Sequence, residues 1–196
     1  VAEPVSQMPG AFIPIPAPPR SSVMAGSLVF SCSGDGASGT VYCVDSATGV
    51  MRKQIKVGNQ PTGLAMAPNG RFLFCVNSGS ASVSVIDCAS LNEIAKIPVG
   101  VNPQKVAVSP DSTRVMVTNK QNNTVTVIDG NSLASINTVT VGQGPIGVTF
   151  NRDGSKAYVA CKDAGTIQFL DGRTGAVEHT TVPMPLASPW GVVVRP

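Results

Sequence analysis

The stretch 100–141, GVNPQKVAVSPDSTRVMVTNKQNNTVTVIDGNSLASINTVTV, recurs along the chain, and that recurrence restricts the fold more than any other feature. A step of 42 residues back gives GNQPTGLAMAPNGRFLFCVNSGSASVSVIDCASLNEIAKIPV from Gly58, and the same step forward gives GQGPIGVTFNRDGSKAYVACKDAGTIQFLDGRTGAVEHTTVP from Gly142. Each unit holds four short segments rich in β-branched residues; in the Gly100 unit they are residues 105–108, 114–118, 124–128 and 136–141. Between them lie SPDS, NKQNN and DGNSLAS, which supply Pro, Asp, Asn, Gly and Ser where tight turns need them. Four strands joined by short turns make an antiparallel meander, and a repeat of this length with that content predicts a propeller blade.

An Asp closes the third segment of every unit, at Asp45, Asp87, Asp129 and Asp171. A ring of acidic ligands is one reading of this series. The structural reading is stronger, since each Asp is followed by Gly, Ser or Cys and then a loop, the setting in which a carboxylate bonds nearby backbone N–H groups.

The first unit is incomplete. Residues 28–57 match the second, third and fourth strands of a blade, and the missing first strand is expected at the other end of the chain, where SPWGVVVRP (188–196) aligns with GPIGVTFNR of the Gly142 unit. The expectation is therefore an all-β, four-bladed propeller over residues 27–196, closed by the C-terminal strand pairing into the N-terminal blade, which removes exposed sheet edges. Its blades would be 27–57 plus 188–196, 58–99, 100–141 and 142–187. Residues 1–26, with six prolines and no hydrophobic period, read as an extended Pro-rich arm of polyproline II character. Phe12, Ile13 and Ile15 are its natural anchors for a partner, followed by Pro16, Pro18 and Pro19 in the same partner-binding arm.

RVMVTN followed by NTVTVID closely resembles the signature of the YVTN β-propeller repeat family, with FLFCVN/ASVSVID and AYVAC/GTIQFLD as variants. The resemblance covers all but the arm and implies a propeller with binding and scaffolding roles, on cell surfaces or in secreted proteins; it carries over no catalytic residue. The family's propellers commonly have more blades, often seven. Cys32-Ser33-Gly34-Asp35 stands where the motif sits in the first unit, and Cys161 replaces its Asn in the Gly142 unit.

Charge and cysteine content narrow the function. Only 13% of residues are charged, and the net charge of +3 is scattered singly, with no basic run of the kind that tracks phosphates, so nucleic acid is not an expected partner. No apolar stretch approaches the roughly 18 residues of a membrane span. The first residue is Val, which fits removal of an initiator Met or of a signal peptide. Five cysteines occur in no CxxC arrangement. By the 42-residue step Cys32 and Cys43 match Phe74 and Val85 and would be direct cross-strand neighbours, either a disulfide or two small buried hydrophobes. No GxSxG, HExxH or P-loop pattern is present, and the one histidine, His179, is expected on an exposed outermost strand.

Loops between blades and turns between second and third strands share one propeller face. Trp190 is expected there beside the axis, as core packing or as an aromatic anchor for a partner, with Lys105, Lys120 and Lys162 making that face mildly basic. The expected function is a non-enzymatic protein-interaction or structural propeller, docked through its arm on a larger assembly such as a virus or phage particle or a cell surface. Protein partners, or further copies of the chain, would bind it; no cofactor or metal is expected. The alternative is a secreted or periplasmic propeller that binds a small ligand or metal at its axial channel.

Overall fold

The computed structural model describes residues 18–34, 36–181 and 189. These residues form four four-stranded antiparallel sheets in which strands pair in chain order. Blade 1 comprises β1 (Pro19–Ala25), β2 (Leu28–Gly34), β3 (Gly39–Asp45) and β4 (Met51–Val57). Blade 2 comprises β5 (Pro61–Met66), β6 (Phe72–Asn77), β7 (Ser82–Asp87) and β8 (Asn92–Pro98), with a single 3-10 turn at Ser78–Ser80. Blade 3 runs β9 (Pro103–Val108), β10 (Arg114–Asn119), β11 (Thr124–Asp129), β12 (Ser135–Thr140); blade 4 runs β13 (Pro145–Phe150), β14 (Lys156–Cys161), β15 (Thr166–Asp171), β16 (Val177–Thr180). The protein is a four-bladed β-propeller, as the repeat predicts. Among the described residues no helix is long and apolar enough to cross a membrane.

Each blade opens on a proline at a 42-residue step: Pro19, Pro61, Pro103 and Pro145. Each lies opposite the last or next-to-last residue of the second strand, at Ser33, Asn77, Asn119 and Cys161, and the register shifts immediately after it. Proline cannot donate to a ladder and is tolerated at a strand's first residue or a bulge, which is where all four stand.

The strand that completes blade 1 differs from the expectation. It is β1, which pairs with β2 from Ala25 opposite Leu28 to Pro19 opposite Ser33; residues 190–196, expected in that place, lie outside the described residues. A two-residue turn at Gly26–Ser27, with Gly26 at φ 57°, closes this hairpin. Closing so short a loop costs far less chain entropy than bringing the two ends of the chain together. The Pro-rich arm is correspondingly shorter than the predicted 1–26. Pro19 belongs to β1, and the carbonyl of the exposed Pro18 accepts a hydrogen bond from Ser33 Oγ at 3.1 Å.

Alternate residues of the two middle strands point to the two neighbouring blades and bury three apolar seams. Phe30, Cys32, Val41 and Cys43 of blade 1 meet Leu73, Cys75 and Ile86 of blade 2. Phe74, Val76, Val83 and Val85 meet Val115, Val117 and Ile128. Met116, Val125 and Val127 meet Ala157, Val159 and Leu170. The inner strands pack in the same order, β1 on β5, β5 on β9 and β9 on β13; among the described residues no comparable strand packing joins β13 to β1.

The aspartate series caps turns. Asp129 Oδ1 accepts from the N–H groups of Asn131 and Ser132 at 3.1 and 2.9 Å, and Asp171 Oδ1 from those of Arg173 and Thr174 at 3.1 and 2.7 Å. Asp45 and Asp87 bond Thr48 and Ser90 in the same way. The last residue of each such turn is left-handed: Gly49, Leu91, Leu133 and Gly175. Gly100, where the chain crosses from blade 2 to blade 3, needs its missing side chain for another reason, since a Cβ there would lie 2.7 Å from Cβ of Asn119.

The polar groove between blades 3 and 4

The loop face is built from the inter-blade crossings and the turns between second and third strands. The crossings are held to the turns by backbone bonds that repeat: Ser78 N to Gln60 O at 2.9 Å, Lys120 N to Asn102 O at 3.1 Å and Lys162 N to Gly144 O at 2.9 Å. Gln60, Asn102 and Gly144, the acceptors of these bonds, all have positive φ. The loops that carry side chains on this face are thus fixed to the sheets below them.

Between blades 3 and 4 these loops leave an open groove of about 360 Å³, lined by Asn102, Lys120, Gln121, Asn123, Gln143 and Asp163. Its lining is polar throughout. Asn123 Oδ1 accepts from Gly144 N at 3.0 Å, which fixes one wall. Gly144 lies beneath Asp163, where any Cβ would collide with the carboxylate. Among the described residues neither the Lys120 ammonium nor the Asp163 carboxylate has an ion-pair partner. The groove therefore offers one cation, one anion and four uncharged polar side chains to whatever fills it.

The structure brings only part of the expected constellation together. Lys120 lines the groove. Lys162 occupies the matching turn position in blade 4 without lining it, and Lys105 is exposed on β9, its stem against Gly63 of the neighbouring inner strand. Trp190 lies outside the described residues, as do Phe12, Ile13, Ile15 and Pro16. Asp163, Asn102, Asn123 and Gln143 were not singled out in the sequence; KDAGT and GQGPIG belong to the right face, but their side chains become neighbours only when blades 3 and 4 pack.

A second groove, of about 450 Å³, opens on the opposite face between the same blades, where Asp111, Arg114, Asp153 and Arg173 contribute charge. Here the charges of Asp111, Arg114 and Asp153 are used internally; Asp153 Oδ1 accepts from Ser155 N at 2.8 Å. Arg114 donates from Nη1 to Asp129 Oδ2 at 2.9 Å and from Nε to the carbonyl of Arg173 at 3.1 Å. Asp111 Oδ1 accepts from Ser109 Oγ at 2.5 Å and Thr113 N at 3.0 Å. The Ser109 hydroxyl and Thr113 N–H hold the Asp111 carboxyl below the ordinary carboxylate range, and the Ser132 N–H, with the Arg114 charge adding to it, does the same for Asp129.

Cys32 and Cys43 are not cross-strand partners. Cys32 stands opposite Val41, and Cys43 opposite Phe30. Measured from the corresponding pairs Ser33–Thr40 and Asn77–Ser82, the β2–β3 hairpin is two residues longer than its counterpart in blade 2, where Phe74 faces Val85, so the 42-residue step fails for β2. All five cysteines are free thiols. His179 is exposed on β16, its ring edge-on to Phe169 at 6.5 Å. Among the described residues no group of three or more His, Cys, Asp or Glu side chains is placed to hold a metal ion.

Comparison with known proteins agrees with this architecture. No curated protein sequence matches the chain. Among solved structures, a chain of Kuenenia stuttgartiensis hydrazine synthase superposes with a TM-score of 0.77 at 28% identity, over 88% of this chain and 51% of that one. A functionally unknown protein from Desulfotomaculum acetoxidans DSM 771 superposes with a TM-score of 0.80 at 15% identity, over 93% of this chain and 61% of that one, a likeness of fold alone. The chain spans between half and two thirds of the length of these structures. A family model for YNCE-like beta-propellers matches residues 27–156, more than half of the chain, and the protein therefore belongs to the YNCE-like β-propeller family.

Proposed function

We propose that the propeller is a non-enzymatic protein-interaction module that receives a polypeptide partner on its loop face, in the groove between blades 3 and 4. The observation that carries this reading is the lining of that groove. Sites for small molecules and cofactors are enclosed and mostly apolar with a few converging polar groups. This one is open, wholly polar, and holds an uncompensated Lys120 and Asp163 across a boundary between two rigid blades. Opposite charges fixed at one spot select a partner by complementarity and set its register. Residues 1–17, with Phe12, Ile13, Ile15 and Pro16, serve in this proposal as a second, apolar attachment to a larger assembly, on a particle or a cell surface. The likeness to a longer hydrazine synthase chain supports a propeller that works beside other parts, since this chain matches about half of it.

The test is site-specific crosslinking. A photo-reactive residue at Gln121, in the groove, and one at Asn131, on the opposite face, are compared in extracts of the source organism. A discrete protein adduct from Gln121 that Lys120→Glu abolishes is the expected result. Equal adducts from both positions, or a stoichiometric small ligand in native mass spectrometry with no protein adduct, overturns the proposal. Removing residues 1–17, with Pro18 and Pro19 kept, should weaken retention in the assembly without unfolding blade 1.

A further inference from the structure

The seam between blades 1 and 2 differs chemically from the other two. At corresponding places the second seam buries Val76 against Val117, whereas the first buries Cys32 of β2 and Cys75 of β6. Both thiols are fully buried, in one apolar cluster. The backbone brings them together independently. Cys32 faces Ser21 across the β1–β2 ladder, Cys75 faces Leu64 across the β5–β6 ladder, and Leu64 N donates to Ser21 Oγ at 3.3 Å. The residues opposite the two cysteines are thus bonded across the seam.

We infer that Cys32 and Cys75 form a cystine clamp that joins blade 1 covalently to blade 2 in an oxidising setting and opens in a reducing one. The other two thiols of the seam are poorer candidates. Cys88 Sγ lies against Met66 Sδ at 3.7 Å, and Cys43 on β3 stands opposite Phe30, away from the Ser21–Leu64 bond. The pKa of Cys32 is lowered, because Cys75 donates a hydrogen bond to it and the Lys105 charge adds to the effect, so it is the thiolate that attacks.

The oxidant is a low-molecular-weight disulfide such as glutathione disulfide. The Cys32 thiolate attacks one sulfur of the oxidant and expels one thiolate, leaving a mixed disulfide. The Cys75 thiolate then attacks the Cys32 sulfur and expels the second; the two protons leave with the two thiols released. Both cysteines being buried, exchange proceeds before the seam closes during folding, or when blade 1 opens transiently.

The test uses the full chain refolded in glutathione buffers of graded redox poise and then alkylated. Trypsin with an Asp-directed endoproteinase cuts at Arg20, Asp35, Asp45, Arg71, Asp87 and Lys96, which places Cys32, Cys43, Cys75 and Cys88 on separate peptides. The expected product under oxidising conditions is residues 21–34 linked to residues 72–86, released by reductant, together with a Tm several degrees above that of the reduced protein. Cys75→Val should abolish both the link and the gain while the reduced variant keeps its β-sheet circular dichroism. A full complement of free thiols after oxidative refolding overturns the inference, and so does a link that runs through Cys43 or Cys88.

Discussion

Asn119 donates from Nδ2 to Thr126 Oγ1 at 2.9 Å, inside a blade where both residues are buried. The same amide reaches Thr124 Oγ1 at 3.0 Å, so one side chain pins the second strand to two points of the third. Asn77 repeats this in blade 2, to Ser82 at 3.2 Å and Ser84 at 2.9 Å. Removing the amide leaves the buried Thr126 hydroxyl and the half-buried Thr124 hydroxyl without their donor, and a cavity beneath Gly100. Asn119→Ala should therefore cost about 1–3 kcal/mol, read as a fall in Tm of several degrees. A Tm within a degree of wild type would show that the amide is replaceable there.

The repeat was readable because its punctuation is local. Asp at the end of each third strand, Gly at each blade crossing and Pro at each first strand act on their own backbone and neighbours, so they recur wherever the blade does. β1 escaped because Ser21 and Ser22 replace the Gly63 and Leu64 of β5, so a genuine inner strand looked like the tail of the Pro-rich arm. The proline step that reaches Pro19 was the signal that could have found it. The expected facing of Cys32 and Cys43 failed for a different reason, although both are buried as small hydrophobes: a two-residue insertion in a hairpin changes which side chains face each other without disturbing the Asp series. The groove could not be seen at all at the level of residues, because Lys120 and Asp163 belong to different repeats and meet only through packing.

Acid should weaken the propeller through its aspartate turns. The Arg52 guanidinium, and then the backbone and hydroxyl of Thr48, hold the Asp45 carboxyl down at about 2, from 3.8. Asp87, Asp129 and Asp171 are lowered by the turn residues that donate to them. A carboxyl with a depressed folded-state pKa contributes stability that is present above its unfolded value and is lost as pH falls through the folded one. Tm should thus hold steady down to about pH 4 and drop between pH 4 and 2. Asp45→Asn should have a lower Tm at neutral pH and a shallower acid decline; an identical decline in this variant would remove Asp45 from the account.

Ala81 is left-handed, with φ 46° and ψ 48°, at the end of the turn between β6 and β7. Blades 3 and 4 place Asn123 and Gly165 at the same point, residues that adopt this conformation more easily. The left-handed region costs an alanine about 1–2 kcal/mol, against about 0.5–1 kcal/mol for the added backbone freedom of glycine. Ala81→Gly should therefore stabilise the protein by about 0.5–1 kcal/mol in urea unfolding at unchanged m-value. Ala95→Gly, in the middle of β8, should do the opposite, and the pair separates backbone relief from a general effect of glycine.

Tyr158 occupies in blade 4 the place that Phe74 holds in blade 2 and Met116 in blade 3, each opposite its cross-strand neighbour Phe169, Val85 or Val127. Phe74 and Met116 are 1% and 0% exposed because the next blade covers them. Tyr158 and Phe169 are half-buried and rely on each other, ring edge to ring face at 5.1 Å. Phe74→Ala should cost about 3–5 kcal/mol, since it opens a cavity that two packed sheets cannot collapse around. Tyr158→Ala should cost less than half as much, since solvent replaces much of what is lost. Chemical nitration gives an independent measurement on the unmutated chain, which has two tyrosines. Tyr158 should react while Tyr42, only 5% exposed, is spared. Equal protection of both would mean that the outer face of blade 4 is covered in solution.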